Sequence, residues 1–154
     1  MRRFALVELN INMTENLIET LNKQHNKIKE EMLHLEREAS KVGPDYDVLL
    51  AHMKEFGDVL LEHLALEDAE FYPALEKKLL AEHEDPTEII EFGKKMVALS
   101  IPVEEFLEKY STRESIAEDL YRFRRDLVDI MTQIFMRISS ENVFVHSQWI
   151  NHTK

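Results

Sequence analysis

The stretch His63-Leu64-Ala65-Leu66-Glu67-Asp68-Ala69-Glu70-Phe71-Tyr72-Pro73-Ala74-Leu75 decides how this chain is read. A histidine and a glutamate stand four residues apart in it. On an α-helix that spacing is about one turn, so both side chains leave the same face. An imidazole nitrogen and a carboxylate converging on one point form half of a transition-metal site. The apolar residues around them place the point inside the protein, where a polar group is costly until something satisfies it.

The same periodicity extends in both directions. Upstream, a first helix runs from about Thr14 to Ser40, with Leu17, Leu21, Ile28, Met32 and Leu35 on its stripe and His25 filling the missing step. Asn12 and Glu15 resemble a capping box at its start. Gly43-Pro44 separates it from a second helix that reaches about His83 and carries Leu49, Met53, Phe56, Leu60, His63, Glu67, Phe71 and Ala74. Pro73 should kink that helix. Asp85-Pro86-Thr87-Glu88 starts a third segment, which Pro102 bends or breaks. Ser111-Thr112-Arg113-Glu114 resembles another capping box, ahead of a long fourth helix that ends near Trp149. Its stripe runs from Ile116 through Leu127 and Ile134 to Arg137, Glu141 and Val145. Four amphipathic helices with short connections predict an all-α, up-down-up-down four-helix bundle. It covers residues 14–149, with an N-terminal arm at 1–13 and a tail at 150–154. The arm is open between a short strand, an extra helical turn and a packing arm.

Composition supports few, long elements: the 154 residues include only three glycines and four prolines. One domain with a sizeable core fits this length. The formal charge of −11 argues against nucleic acid and against an anionic membrane surface. No run approaches the ~18 apolar residues that span a bilayer. The absence of cysteine excludes disulfides, thiol catalysis and Cys-ligated metals, and it is compatible with a cytoplasmic setting. Met1 to Glu8 begins like a signal peptide, but Glu8 and Asn10 interrupt the apolar run too early.

The polar interruptions of the stripes fall at heights that coincide in an antiparallel bundle: His25, His63 with Glu67, and Glu141. Two imidazoles and two carboxylates suit iron or manganese, and less distinctively zinc. Each residue also has a plainer reading. A lone core histidine is more often hydrogen-bonded than metal-bound, His63 and Glu67 can bond across one turn, and Glu141 can pair with Arg137. Two buried carboxylates nevertheless need positive charge nearby. His146 lies off the face of Glu141 and joins it only if the helix distorts there. His52 reads as peripheral, and His34, His83 and His152 as solvent-facing or terminal. Glu30 and Glu31 read as a solvated face. The chain shows no ExxH pairs of the ferritin type, no Ser-His-Asp order and no phosphate loop.

With these residues in place, the chain resembles the hemerythrin-like, HHE cation-binding family. Gln24-His25-Asn26-Lys27-Ile28 resembles its opening histidine motif, and His63 to Leu75 its HxxxE motif with the following aromatic-tyrosine-proline. Arg137-Ile138-Ser139-Ser140-Glu141-Asn142 resembles the last-helix motif of a bacterial branch. The resemblance implies a non-haem di-iron centre with bridging carboxylates. It also implies a role in binding or sensing O₂, reactive oxygen or nitrogen species, or iron. It carries over His25, His63, Glu67 and Glu141 as metal ligands, with Tyr72 as a nearby donor, and it assigns no catalytic residue. Two departures stand out. Arg137 occupies a position where many members have histidine, and Lys95 precedes Met96 where the related branch has glutamate. The expected metal content is therefore two irons, one, or none. In the last case the chain is a metal-free interaction module in which Lys95 and Arg137 supply the missing charge. Glu88 and Glu91 are the third helix's possible substitute ligands. A homodimer is compatible with the apolar arm and the interrupted third helix.

Overall fold

A computed structural model describes the backbone of residues 2–145 and the side chains of residues 16–143. All of its regular elements are helical. α1 spans Arg2–Ala39, α2 Tyr46–Leu66, α3 Tyr72–Ala81, α4 Thr87–Ala98, α5 Ser100–Lys109, α6 Arg113–Ala117 and α7 Leu120–Ser140. Two single π-turns complete the set, Glu67–Phe71 between α2 and α3 and Glu141–Val145 after α7.

These elements assemble into four rods: α1, α2 with α3, α4 with α5, and α7. Contacts between rods fix their directions. Going up α1, the partners on α2 go down: His25 meets His63, Glu31 meets His52, and Glu38 accepts from the backbone of Asp45. Likewise His25 meets Glu141 while Ala39 accepts from Arg124, so α7 is antiparallel to α1. Phe106 of α5 stacks on Phe123 of α7, and Tyr110, just after α5, meets the same ring edge-on. The result is the predicted antiparallel bundle, with one core that runs from Leu21, Ile28 and Leu35 of α1 to Ile130, Ile134 and Ile138 of α7. Among the described residues no helix is long and apolar enough to cross a membrane.

Several element boundaries differ from the sequence reading. The backbone is helical from Arg2, so positions 12 and 15 lie within α1 and not at its start. The cap before α6 is shifted by one residue: Thr112 accepts from the Ser115 amide, and Ser115 closes the box in place of Glu114. Asp119 then starts α7 by accepting from the Arg122 amide. The third rod breaks at Leu99, which leaves Pro102 in the first turn of α5, where its missing N–H has no intrahelical partner to lose. α3 ends in a Schellman turn: Glu84 N–H reaches Leu79 O at 2.8 Å, with His83 in the left-handed region at φ 60°. The 150–154 tail, His146, Trp149 and His152 lie outside the described residues.

At the expected kink the helix is interrupted by a π-turn, Glu67–Phe71, just before Pro73. Proline brings no N–H to the carbonyl four residues back, and its ring crowds that carbonyl. The helix answers by widening: the Tyr72 amide bonds to Glu67 O, five residues back. A π-turn inserts one residue, so a side chain five positions on returns toward the same face. Tyr72 is thereby carried round to the side on which Glu67 lies.

Candidate metal centre

His25, His63, Glu67 and Glu141 meet in the bundle core, each at most 2 % exposed. α1 supplies the first, the end of α2 the second, and the two π-turns start on the two glutamates. One ligand atom from each lies within 4.8 Å of every other. His25 Nε2 is 3.0 Å from His63 Nε2 and 3.0 Å from Glu141 Oε1. His63 Nε2 is 2.5 Å from Glu67 Oε1 and 3.7 Å from Glu141 Oε1. The imidazole rings meet edge-on, with centroids 4.5 Å apart.

Two neighbours orient this cluster. Gln24 Oε1 lies 2.8 Å from His63 Nδ1. A carbonyl oxygen only accepts, so it holds a proton on Nδ1 and leaves Nε2 to present a lone pair toward Glu67. The Tyr72 hydroxyl donates to Glu141 Oε2 at 2.6 Å. Gly93 makes room for that tyrosine: a β-carbon there would come within 3.0 Å of the Tyr72 ring. Tyr72 thus holds one carboxylate oxygen of Glu141 and leaves the other turned to the histidines.

The electrostatics show a deficit of positive charge. Neither Glu67 oxygen has a hydrogen-bond partner of proper geometry, even though Oε1 lies so close to His63. Burial, reinforced by the Glu141 carboxylate, pushes the Glu67 carboxyl up to about 12. Both causes favour the neutral acid form of Glu67 while no cation is present. Burial acts on Glu141 in the same upward direction, but the polar groups of Glu67, His25, His63 and Tyr72 around it outweigh burial and hold Glu141 below the usual carboxylate range. Burial, then the Glu141 charge, raises the Tyr72 phenol, so Tyr72 stays a donor. A nitrogen lone pair facing a carboxylate oxygen at 2.5 Å is stable only with a proton or a cation between them. The donor set therefore fits a metal ion, which would replace the proton.

The remaining candidates lie elsewhere. Lys95 is exposed and Arg137 is half-buried. Among the described residues, neither forms an ion pair with Glu67 or Glu141; both line a groove beside the third rod. Glu88 and Glu91 are exposed and do not join the cluster. Glu31 is buried, not solvated: it accepts from His52 Nδ1 at 2.7 Å and pairs with Lys27 at 3.2 Å. His34 stacks on His52 with ring centroids 4.8 Å apart. Sequence reasoning missed Gln24 as the orienting group. Its position beside His25 in the opening motif was visible, but its reach to His63 depends on how α1 and α2 align.

An antiparallel helical bundle brings histidines and glutamates from three of its rods to one buried point, a group that could hold a metal ion. The hemerythrin HHE cation-binding domain family matches residues 16–142, and the chain belongs to that family. No curated protein and no solved structure showed a match.

Proposed function

We propose that His25, His63, Glu67 and Glu141 hold non-haem iron, and that the protein uses it to bind or sense O₂, reactive oxygen or nitrogen species, or iron itself. The observation that carries this reading is the convergence of His63 Nε2 and Glu67 Oε1, 2.5 Å apart, with His25 and Glu141 on one buried point. Two nitrogen and two carboxylate donors suit a borderline cation such as ferrous iron. When bound, iron supplies redox chemistry and an open position for a small ligand. The protein's own contribution is to exclude water, fix the His63 tautomer through Gln24, and restrain Glu141 through Tyr72.

Four donors are enough for one ion; a second would need ligands from outside the described residues. The test is anaerobic loading with ferrous iron, followed by elemental analysis and a visible spectrum after exposure to air. About one iron per chain, with absorption in the visible, is the expected result. His63→Ala should release it. Protein that retains no iron after loading, or retains it fully in His63→Ala, overturns the assignment.

A further inference from the structure

The groove beside the third rod has a charge character opposite to that of the molecule. The chain carries 30 acidic and 19 basic residues. Yet the groove, about 490 Å³ in volume, is lined by Lys95 and Arg137 and by no carboxylate. Glu141 stands one turn after Arg137, but its carboxylate is turned inward to His25 and Tyr72. Among the described residues neither cation makes an ion pair, unlike Lys109 or Lys41, which have carboxylates at 3.0 and 2.6 Å. Arg137 is moreover half-buried, where an unpaired charge is more costly than at the surface.

The rest of the lining is graded. Gln133 and Ser140 add polar groups beside Arg137, while Leu99 and Met136 add apolar surface. Met136 is 63 % exposed, a large apolar side chain left open at this groove. The volume is within the range of small-molecule sites, which combine apolar walls with a few convergent polar groups. Arginine's planar fork matches a carboxylate or phosphate, and a lysine opposite it adds a second charge.

We propose that this groove binds a small organic anion, with the anionic head between Lys95 and Arg137 and an apolar body against Leu99 and Met136. The site stands independently of the metal centre, since none of its residues is a ligand there. Titration of the full-length protein by calorimetry, with octanoate and octyl phosphate as probes, tests it. At least one should bind saturably, and the tighter of the two identifies the head group. Lys95→Gln and Arg137→Gln should each weaken binding by about tenfold, one charge-assisted hydrogen bond's worth. Lys94→Gln, a neighbouring lysine outside the groove, should leave it unchanged. Because Arg137 is partly buried, the exposed Lys95 variant carries the test if Arg137→Gln fails to fold. Four results would overturn the proposal: no saturation below about 10 mM, equal binding of octan-1-ol, inorganic phosphate binding as tightly as the probes, or an unaltered affinity in Lys95→Gln.

Discussion

One carboxylate lies near the start of α7 and another in the π-turn that continues it, and the two have opposite surroundings. Asp126, near the start, accepts from the Tyr110 hydroxyl and from Lys109 Nζ. Glu141, roughly 22 Å further along the helix axis, faces two imidazoles and a second carboxylate. The first cluster is complete: each donor has an acceptor, and the Tyr110 hydrogen bond, with Lys109 beside it, holds Asp126 below the usual carboxylate range. The second is rich in lone pairs and short of positive charge. A polar cluster with its charges matched stabilises a fold by itself, whereas one short of positive charge is suited to receive a cation. That contrast separates structure from function within a single helix, and it can be broken experimentally.

The largest effect is expected at Glu67. Glu67→Leu should abolish iron retention and yet leave the metal-free protein as stable as before, or more stable by about 1–3 kcal/mol, because an apolar group replaces a buried polar one. Asp126→Leu should do the reverse, lowering stability without touching iron content. Urea denaturation of metal-free samples, paired with elemental analysis, checks both. If Glu67→Leu destabilised the metal-free fold by several kcal/mol, Glu67 would be part of the scaffold and the contrast would collapse.

The next effect is on pH dependence. Glu67, pushed up to about 12 by burial and by Glu141, is protonated in the fold and ionised in the unfolded chain at neutral pH. Its contribution is fully present below the unfolded value near 4.3 and is lost as pH rises toward the folded value. The slope is up to about 1.4 kcal/mol per pH unit. Asp126 and Glu141 are both lowered, so their contributions run the other way, present above the unfolded value and lost as pH falls through the folded one. Between pH 5 and 8, metal-free protein should therefore lose stability with rising pH more steeply than Glu67→Leu does. Parallel curves for the two would mean that Glu67 gives up its proton in the fold at ordinary pH.

A smaller loss is expected from Gln24→Leu. Its carbonyl holds the His63 proton on Nδ1. Without it the tautomer is free, and iron affinity should fall by about 10- to 100-fold while the stoichiometry at saturation stays the same. Competition with a chelator of known strength measures this. An unchanged affinity would remove Gln24 from the site.

How much of this was legible depends on how each residue is placed. His25, His63, Glu67 and Glu141 interrupt apolar stripes, so the pattern that predicts the bundle also turns them inward. Lys95 and Arg137 depend on finer detail. One position along a helix rotates a side chain by about 100°, so Lys95 faces out although the adjacent Met96 is buried. The π-turns were not legible at all, since a hydrogen bond that slips from four residues to five leaves no trace in hydrophobic periodicity. Pro73 was the available signal: it marks an interruption of the helix without saying that the interruption takes the form of a π-turn. Distortion after Glu141 was the condition set for His146 to approach that face. The backbone does distort there, at Glu141–Val145, while His146 itself lies outside the described residues.

The smallest effect tests the complete cluster. Tyr110 is buried against Phe106 and Phe123, so Tyr110→Phe keeps the ring packing and removes only the hydroxyl. Asp126 then keeps Lys109 but loses its most buried donor. The expected cost is about 1 kcal/mol, one hydrogen bond to a partly screened charge. It should be the same with and without iron, because Tyr110 and Glu141 lie toward opposite ends of the helix and distant sites add. A cost that doubled on iron loading would show that α7 transmits strain between its ends, and the two clusters would then have to be treated as one coupled system.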